Sequence, residues 1–106
     1  MPASFLCPYL GAEIELTDER KDHITKRHPD FIEVIERIRE TLAQPDTIYA
    51  GRYSGDSHLF ERWYDQVYGG KFVQVAVLEA PPGRYWIVTA HISRKPAPWR
   101  REWTRS

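Results

Sequence analysis

Two histidines in this chain have sequence contexts that could support acid–base chemistry. His28 directly precedes Pro29, and a proline restricts the backbone of the residue before it, which limits the directions that the imidazole can take. His91 follows Thr89 by two positions in the run Tyr85–Ser93, which reads as a strand, so both side chains point to the same face. Because histidine titrates near neutral pH, either imidazole could accept and then return a proton. His28 could instead cap a helix or fill a gap in the packing.

Several basic side chains could bind a polyanion beside these histidines. Arg62 alternates with aromatic residues at positions 60–64, where its guanidinium could stack on a ring and bind phosphate, or pair with a helix carboxylate. Lys71 and Arg94 are further candidate phosphate contacts, although a single cation is more often only a surface charge. Residues 91–106 hold five basic residues and one acidic residue, a local charge of +4 that could steer a polyanion or belong to a solvated tail.

The composition is typical of one small globular domain spanning residues 1–106. The chain has no net charge, which argues against a nonspecific nucleic-acid binder, and 42% of its residues are hydrophobic. Cys7 is the only cysteine, so no internal disulfide can form, as is typical of a reducing compartment. The chain has neither an apolar run that could span a membrane nor a signal-peptide pattern, so we expect a cytoplasmic location.

We expect neither a metal nor a cofactor. The four histidines, His23, His28, His58 and His91, have no recognised ligand spacing, and Cys7 has no second cysteine beside it. The sequence also has no glycine-rich phosphate loop, nucleophile elbow or dinucleotide fingerprint.

Two helices are predicted before any long strand. Thr17 is a good N-cap with acidic residues after it, and Pro29 disfavours helical geometry at the residue before it, which predicts a first helix over Asp18–Arg27. Pro29 also suits the first position of a second helix, which should end at Pro45. Its apolar residues form one stripe at helical spacing: Phe31, Val34, Ile35, Ile38 and Leu42.

Strand patterns dominate the rest of the chain. Strands are predicted at 47–53, 58–64, Lys71–Glu79 and Tyr85–Ser93, with turns at 54–57, 69–70 and 81–83. A short strand pattern also covers 12–16, after an extended lead-in at 1–12, and residues 96–106 read as a basic C-terminal tail. The predicted fold class is therefore α+β, with two N-terminal helices packed on a four- to five-stranded antiparallel meander sheet.

The last long strand divides into two sets by simple alternation. One set is wholly apolar and should pack on the helices: Trp86, Val88, Ala90 and Ile92. The other set should lie on the open face of the sheet: Tyr85, Ile87, Thr89, His91 and Ser93. That face could be the floor of a site, or it could merely be solvated, as one face of an antiparallel sheet often is.

Short motifs in a consistent order resemble a known family. The run ELTDER at 15–20, followed by HI at 23–24 and RHP at 27–29, resembles the helical opening of phage-barnase–EndoU–colicin–RelE-like (BECR-fold) nuclease domains. Later pieces are similar as well: TL at 41–42, PD at 45–46, GKFV at 70–73 and WIVTA at 86–90. The resemblance covers residues 13–95, and it rests on the order and spacing of the motifs more than on any one of them.

The resemblance implies a helix–helix–antiparallel-sheet fold and metal-independent RNA cleavage. In that reaction a base helps the ribose 2′-OH attack the adjacent phosphate, an acid protonates the leaving 5′-oxygen, and cations stabilise the phosphorane. His28 matches the helix-end histidine of the family, and Thr89 matches the small polar residue of its terminal strand. His91 departs from the pattern, since an aromatic residue such as tyrosine is expected there.

The expected site is that of a ribonuclease-like domain with RNA as its partner, and an inhibitor protein as a second partner if the chain is a toxin. Its expected catalytic residues are His28, His91 and Thr89. Its expected substrate-binding residues are Arg62, Lys71, Arg94, Tyr64 and Tyr85. Two alternatives stay open: a noncatalytic RNA- or protein-binding module that keeps the fold, and a dimer subunit joined through a sheet edge.

Overall fold

The computed structural model describes residues 3–29, 33–51 and 56–105, which form a seven-stranded sheet and two helices. Both helices contribute to one apolar core on the same face of the sheet, where α1 packs on β6 and α2 packs on β1, β4 and β5. The strand order is β1-β2-β6-β5-β4-β3-β7. The elements are β1 (Ala3–Cys7), β2 (Ala12–Leu16), α1 (Asp18–Arg27), α2 (Val34–Ala43), β3 (Thr47–Ala50), β4 (Asp56–Tyr64), β5 (Lys71–Glu79), β6 (Tyr85–Ser93) and β7 (Arg101–Thr104).

The predicted four- to five-stranded antiparallel meander is wrong. The chain begins with the β1–β2 hairpin, so the helices are not N-terminal, and β2 runs parallel to β6 through the pairs Ile14–Tyr85 and Glu15–Trp86. At the other edge β7 pairs with β3. The local pattern at 12–16 predicted β2 itself, but parallel pairing joins segments that are far apart in sequence, so the place of β2 in the sheet could not be predicted. The side chains of β7 are exposed throughout, so this strand leaves no local pattern.

The first helix spans the predicted residues. Thr17 Oγ1 accepts a hydrogen bond from the Arg20 N–H at 3.2 Å, and His28 follows as the C-cap. The second helix begins later than predicted, at Val34, and Pro29 lies in a turn instead of a first helical position. Its buried stripe of Val34, Ile38 and Leu42 contacts the sheet as predicted, whereas Phe31 lies outside the described residues.

The long strands agree better with prediction than the turns do. β5 and β6 have the predicted bounds, and the reversal at 69–70 is present. β4 starts at Asp56, so residues 56–57 belong to a strand and not to the predicted turn. Positions 52–55, which include the rest of that turn and the predicted end of β3, lie outside the described residues.

A β-bulge in β6 decides which side chains face the helices. Val77 pairs with Ile87 and Ala76 pairs with Thr89, so Val88 is the extra residue and the alternation shifts there. Ile87 is consequently buried in the helix-side core, and Val88 packs on the opposite face. The predicted alternation therefore holds after the bulge and is wrong before it: Ile87 and Tyr85 pack with the helix-side core instead of facing the open side.

The face opposite the helices is partly covered by the chain that follows β6. Ala97 and Trp99 pack there against a second small core cluster of Tyr49, Leu59 and Ala76. The predicted basic tail thus holds a packed segment and then β7. In the described ranges neither helix, at ten residues each, is long and apolar enough to cross a membrane.

Candidate active site

His28 lies where the end of α1 meets an unpaired edge of β6. β2 pairs with β6 only at Tyr85 and Trp86, and beyond them no described strand lies along that edge. The end of α1 occupies this place, and the His28 imidazole faces the backbone of Ala90. Its Nε2 is buried and has no hydrogen-bond partner among the residues that the structure describes. A buried polar atom without a partner is costly, which makes this nitrogen a candidate for contact with a ligand.

His91 is close enough to His28 for their charges to interact, but it lies on the other face of the sheet. It pairs with Gln74 across the β5–β6 ladder, and Gln74 alternates with the core residues Val73 and Val75. His91 therefore points away from the helices and into a cavity of about 290 Å³. Thr89, two residues earlier, shares its face, because it pairs with Ala76 of the second core cluster.

The pKa values of both imidazoles are lowered. Burial is the main cause for His28, Arg27 adds to it, and the Ala90 backbone acts in the opposite direction. Burial is also the main cause of the lowered pKa of His91, and the positive charges of Arg27 and His28 add to it. Near neutral pH the two side chains are therefore neutral, and protonation of either one disfavours protonation of the other.

Arg62 and Tyr64 are placed elsewhere, in an arginine-lined cleft near the end of α2. The Arg62 guanidinium lies 5.3 Å from the centre of the Tyr64 ring, and its Nη1 donates to the Gln44 carbonyl at 3.2 Å. Arg62 alternates with the core residue Phe60, so it shares the helix side of the sheet, whereas His91 lies on the opposite side. The structure does not bring Arg62 or Tyr64 together with His91.

The other predicted binding residues differ in position. Lys71 Nζ donates to the Tyr68 carbonyl at 2.7 Å and to the Gly70 carbonyl at 3.2 Å, so it closes the turn between β4 and β5. Tyr85 lies at the far end of β6 and packs against the helix-side core. Arg94 is exposed directly after β6, between two residues that line the His91 cavity.

Three groups near the histidines were not singled out as site residues by the sequence motifs. Gln74 lies opposite His91, Trp99 lines the same cavity, and the charge of Arg27 lowers the pKa of both imidazoles. Gln74 had a detectable signal, because it is the one polar residue in the apolar run at 72–78. Trp99 had none, since nothing local shows that the chain after β6 folds back over the sheet.

A buried carboxylate holds the floor of the His91 cavity. Glu61 is only 2% exposed, and it accepts hydrogen bonds from the Tyr49 hydroxyl, the Gln74 Nε2 and the Ala97 N–H, each at 2.8 Å. The bond from Ala97 fastens the segment after β6 to the sheet. Burial, together with the bond to Glu61, raises the pKa of Tyr49 to about 12.

A third histidine has a different environment. His58 Nδ1 lies 2.8 Å from Glu102 Oε2, and the same oxygen accepts a hydrogen bond from the Tyr9 hydroxyl at 2.9 Å. The Tyr9 ring packs edge-on against the imidazole, with 6.3 Å between ring centres. These contacts join β4, β7 and the turn between β1 and β2.

No protein-family model, no curated protein and no solved structure matches this chain. Within the described ranges, no group of three or more His, Cys, Asp and Glu side chains is arranged to hold a metal ion. His28 and Arg27 lie at the end of α1, whereas His91, the Thr89 hydroxyl and Lys95 lie along or just after β6 on the other face of the sheet. Such a set can accept, donate and orient protons beside an anion.

Proposed function

We propose that this chain is a metal-independent ribonuclease whose proton transfers are made by His28 and His91. The observation that carries the proposal is the environment of His28: a buried Nε2 without a described partner, at the end of α1 and close enough to His91, across β6, for the two charges to interact. The resemblance of the motif RHP and of the strand around Thr89 to BECR-fold nucleases supports the same chemistry. Neutral imidazoles suit a general base at physiological pH.

In the proposed reaction each proton has a stated origin and destination. Neutral His28 takes the proton of the ribose 2′-OH, whose oxygen then bonds to the adjacent phosphorus. The bond from phosphorus to the 5′-oxygen breaks, and protonated His91 gives its proton to that oxygen, which leaves a 2′,3′-cyclic phosphate. This division of roles requires one proton on the pair. Because both pKa values are lowered from 6.5, that state becomes populated as the pH falls below this value, and mutual repulsion disfavours a second proton.

The phosphate would be held by groups close to the pair. Arg27 and the two cations after β6, Arg94 and Lys95, supply positive charge, and the Thr89 hydroxyl orients a phosphate oxygen. Lys71 is bonded to backbone carbonyls, and Arg62 lines a separate cleft near the end of α2, so we leave both out of the proposed centre. We place the enzyme in the cytoplasm, where a free thiol such as the buried Cys7 is stable, and an inhibitor protein belongs to the proposal if the chain is a toxin.

The test is RNA cleavage in the presence of a chelator. Folded wild-type protein should cut single-stranded RNA and leave 2′,3′-cyclic phosphate ends, which mass spectrometry detects. His28→Ala and His91→Ala should each reduce the rate by about 10²- to 10⁴-fold, the usual contribution of a general acid or base. His23→Ala is the matched control, because His23 is an exposed histidine on the same helix as the His28 cap. Full activity in either site variant, or no cleavage of any RNA by wild type, would contradict the proposal.

One observation favours protein binding as the second candidate function. An apolar groove of about 580 Å³ lies between the β1–β2 turn and β7, and it shares no residue with the His91 cavity. Tyr9 and Trp103 line it and are 42% and 38% exposed. A folded protein that fails to cut RNA but binds a partner through Trp103, with binding lost in Trp103→Ala, would establish this function instead.

A further inference from the structure

We propose that the cavity beside His91 is a nucleobase-binding pocket. The inference rests on the proposed function, because it assigns the base to the RNA whose leaving 5′-oxygen His91 would protonate. The cavity encloses about 290 Å³. Small-molecule sites typically enclose about 300–1,000 Å³, so this volume suits one planar ring system better than a larger ligand.

The walls of the pocket have the shape and polarity that stacking requires. Leu59 lines the pocket from β4, and Pro96, Pro98 and Trp99 form the wall contributed by the chain after β6. An aromatic face and proline rings can pack against either surface of a base, and such contacts are tolerant of sequence. Stacking therefore supplies binding without selecting one base.

One polar group in the pocket has its orientation determined by its neighbours. A carboxylate such as Glu61 only accepts hydrogen bonds, so the Gln74 amide must present its NH₂ group to Glu61, at 2.8 Å. The same nitrogen also lies 3.4 Å from the Lys95 carbonyl. The Gln74 carbonyl oxygen is therefore directed away from Glu61, as an acceptor for a donor on the edge of a base.

The pocket is built into the fold before any ligand binds. Ala97 N–H donates to the buried Glu61, and Ser93 Oγ donates to the Lys95 carbonyl at 2.9 Å and accepts from the Lys95 N–H at 3.2 Å. These bonds fasten the wall at two points along the segment after β6. A preformed wall lowers the ordering cost of binding.

The surroundings of the pocket connect it to the catalytic pair. His91 lines it directly, and Arg94 and Lys95 follow β6 in the wall segment. A base in the pocket would therefore place its ribose and phosphate against His91 and near positive charge. The pocket would serve as the subsite that positions one nucleotide for cleavage.

The test is a titration followed by NMR, with adenosine 3′-monophosphate and cytidine 3′-monophosphate as probes and ribose 5-phosphate as the probe that lacks a base. Both nucleotides should shift the Trp99 indole and Gln74 side-chain signals and bind at least about tenfold more tightly than ribose phosphate. Trp99→Ala should remove this preference, and Trp99→Phe should keep most of it. Trp103→Ala, in the separate groove, is the matched control and should leave the preference for nucleotides over ribose phosphate unchanged.

Three outcomes would overturn the inference: equal binding of nucleotides and ribose phosphate, signal shifts confined to the Trp103 groove, or a preference that survives Trp99→Ala. Gln74→Met is a second variant, which keeps the size of the side chain but removes the acceptor, and it should weaken nucleotide binding without affecting ribose phosphate. None of these measurements needs catalysis. Base binding without RNA cleavage would refute only the ribonuclease proposal, and cleavage without base binding at Trp99 would refute only the pocket.

Discussion

Histidines occupy opposite environments at two places in this sheet. His58 Nδ1 lies 2.8 Å from Glu102, which also accepts a bond from Tyr9, so its contacts join three separate segments of the chain. His28 has a buried nitrogen without a described partner, and His91 has cations in place of a carboxylate as its charged neighbours. In this chain the carboxylate-paired imidazole of His58 joins segments of the fold, whereas His28 and His91, which have no described carboxylate partner, are the imidazoles that we propose for chemistry.

The largest expected effect separates activity from stability. His28→Gln and His91→Gln should each lower the RNA cleavage rate by about 10²- to 10⁴-fold and change the free energy of unfolding by less than about 1 kcal/mol. His58→Gln should do the reverse, with cleavage within about threefold of wild type and a stability loss of about 1 kcal/mol, because it breaks a partly exposed pair with Glu102. Rate assays and urea unfolding of the same samples check both statements. A large loss of cleavage rate in His58→Gln would contradict the difference in role between His58 and the pair His28 and His91.

Glu61, which supports the His91 cavity, and Glu102, the partner of His58, should also differ in how much they contribute to stability. Glu61→Ala leaves the Tyr49 hydroxyl, the Gln74 amide and the Ala97 N–H without their acceptor, so we expect a loss of at least about 3 kcal/mol in the free energy of unfolding. Glu102→Ala removes a partly exposed acceptor shared by His58 and Tyr9 and should cost about 1–2 kcal/mol. Urea denaturation measures both. Equal losses would show that the floor of the His91 cavity is not held by Glu61.

The free energy of unfolding should depend on pH because of His28 and His91. The pKa values of His28 and His91 are lowered from 6.5 in the folded protein, so the unfolded chain binds more protons below that pH. The free energy of unfolding should therefore be fully developed above pH 6.5 and decrease as the pH falls toward the lowered folded pKa values. Thermal unfolding from pH 7.5 to 5 measures this slope. The slope should be smaller in His28→Gln and in His91→Gln, and an unchanged slope in both would be evidence against the lowered pKa values.

Much of the central architecture could be predicted because its signals are local. Thr17 caps a helix whose bounds are confirmed, and β5 and β6 have the predicted ends. The sheet edges could not be predicted, since the parallel pairing of β2 with β6 and the addition of β7 to β3 depend on distant segments. The bulge at Val88 could not be predicted either, because an apolar residue at that position fits either face of the sheet.

The site was predictable only in part, for a similar reason. His28 and His91 could be singled out by local context, a proline and a strand. The roles of Arg62 and Lys71 could not be read from the sequence, because the groups they bond are backbone carbonyls, of Gln44 and Tyr68 among others, and every residue type has one. What a cation contacts is decided by the fold.

The smallest expected effect concerns the charge of Arg27 and its influence on the pKa values of His28 and His91. Arg27 is exposed, and its positive charge lowers the pKa values of both His28 and His91. Arg27→Gln should therefore raise both pKa values by a small amount, since solvent screens an exposed charge, and added salt should reproduce part of the shift in wild type. NMR titration of the two imidazoles measures the change, and Lys26→Gln is the matched control, because its charge is not among those that lower either value. If Lys26→Gln moved the pKa values as much as Arg27→Gln did, the effect would come from net charge, and the histidine pair would have no specific cationic neighbour.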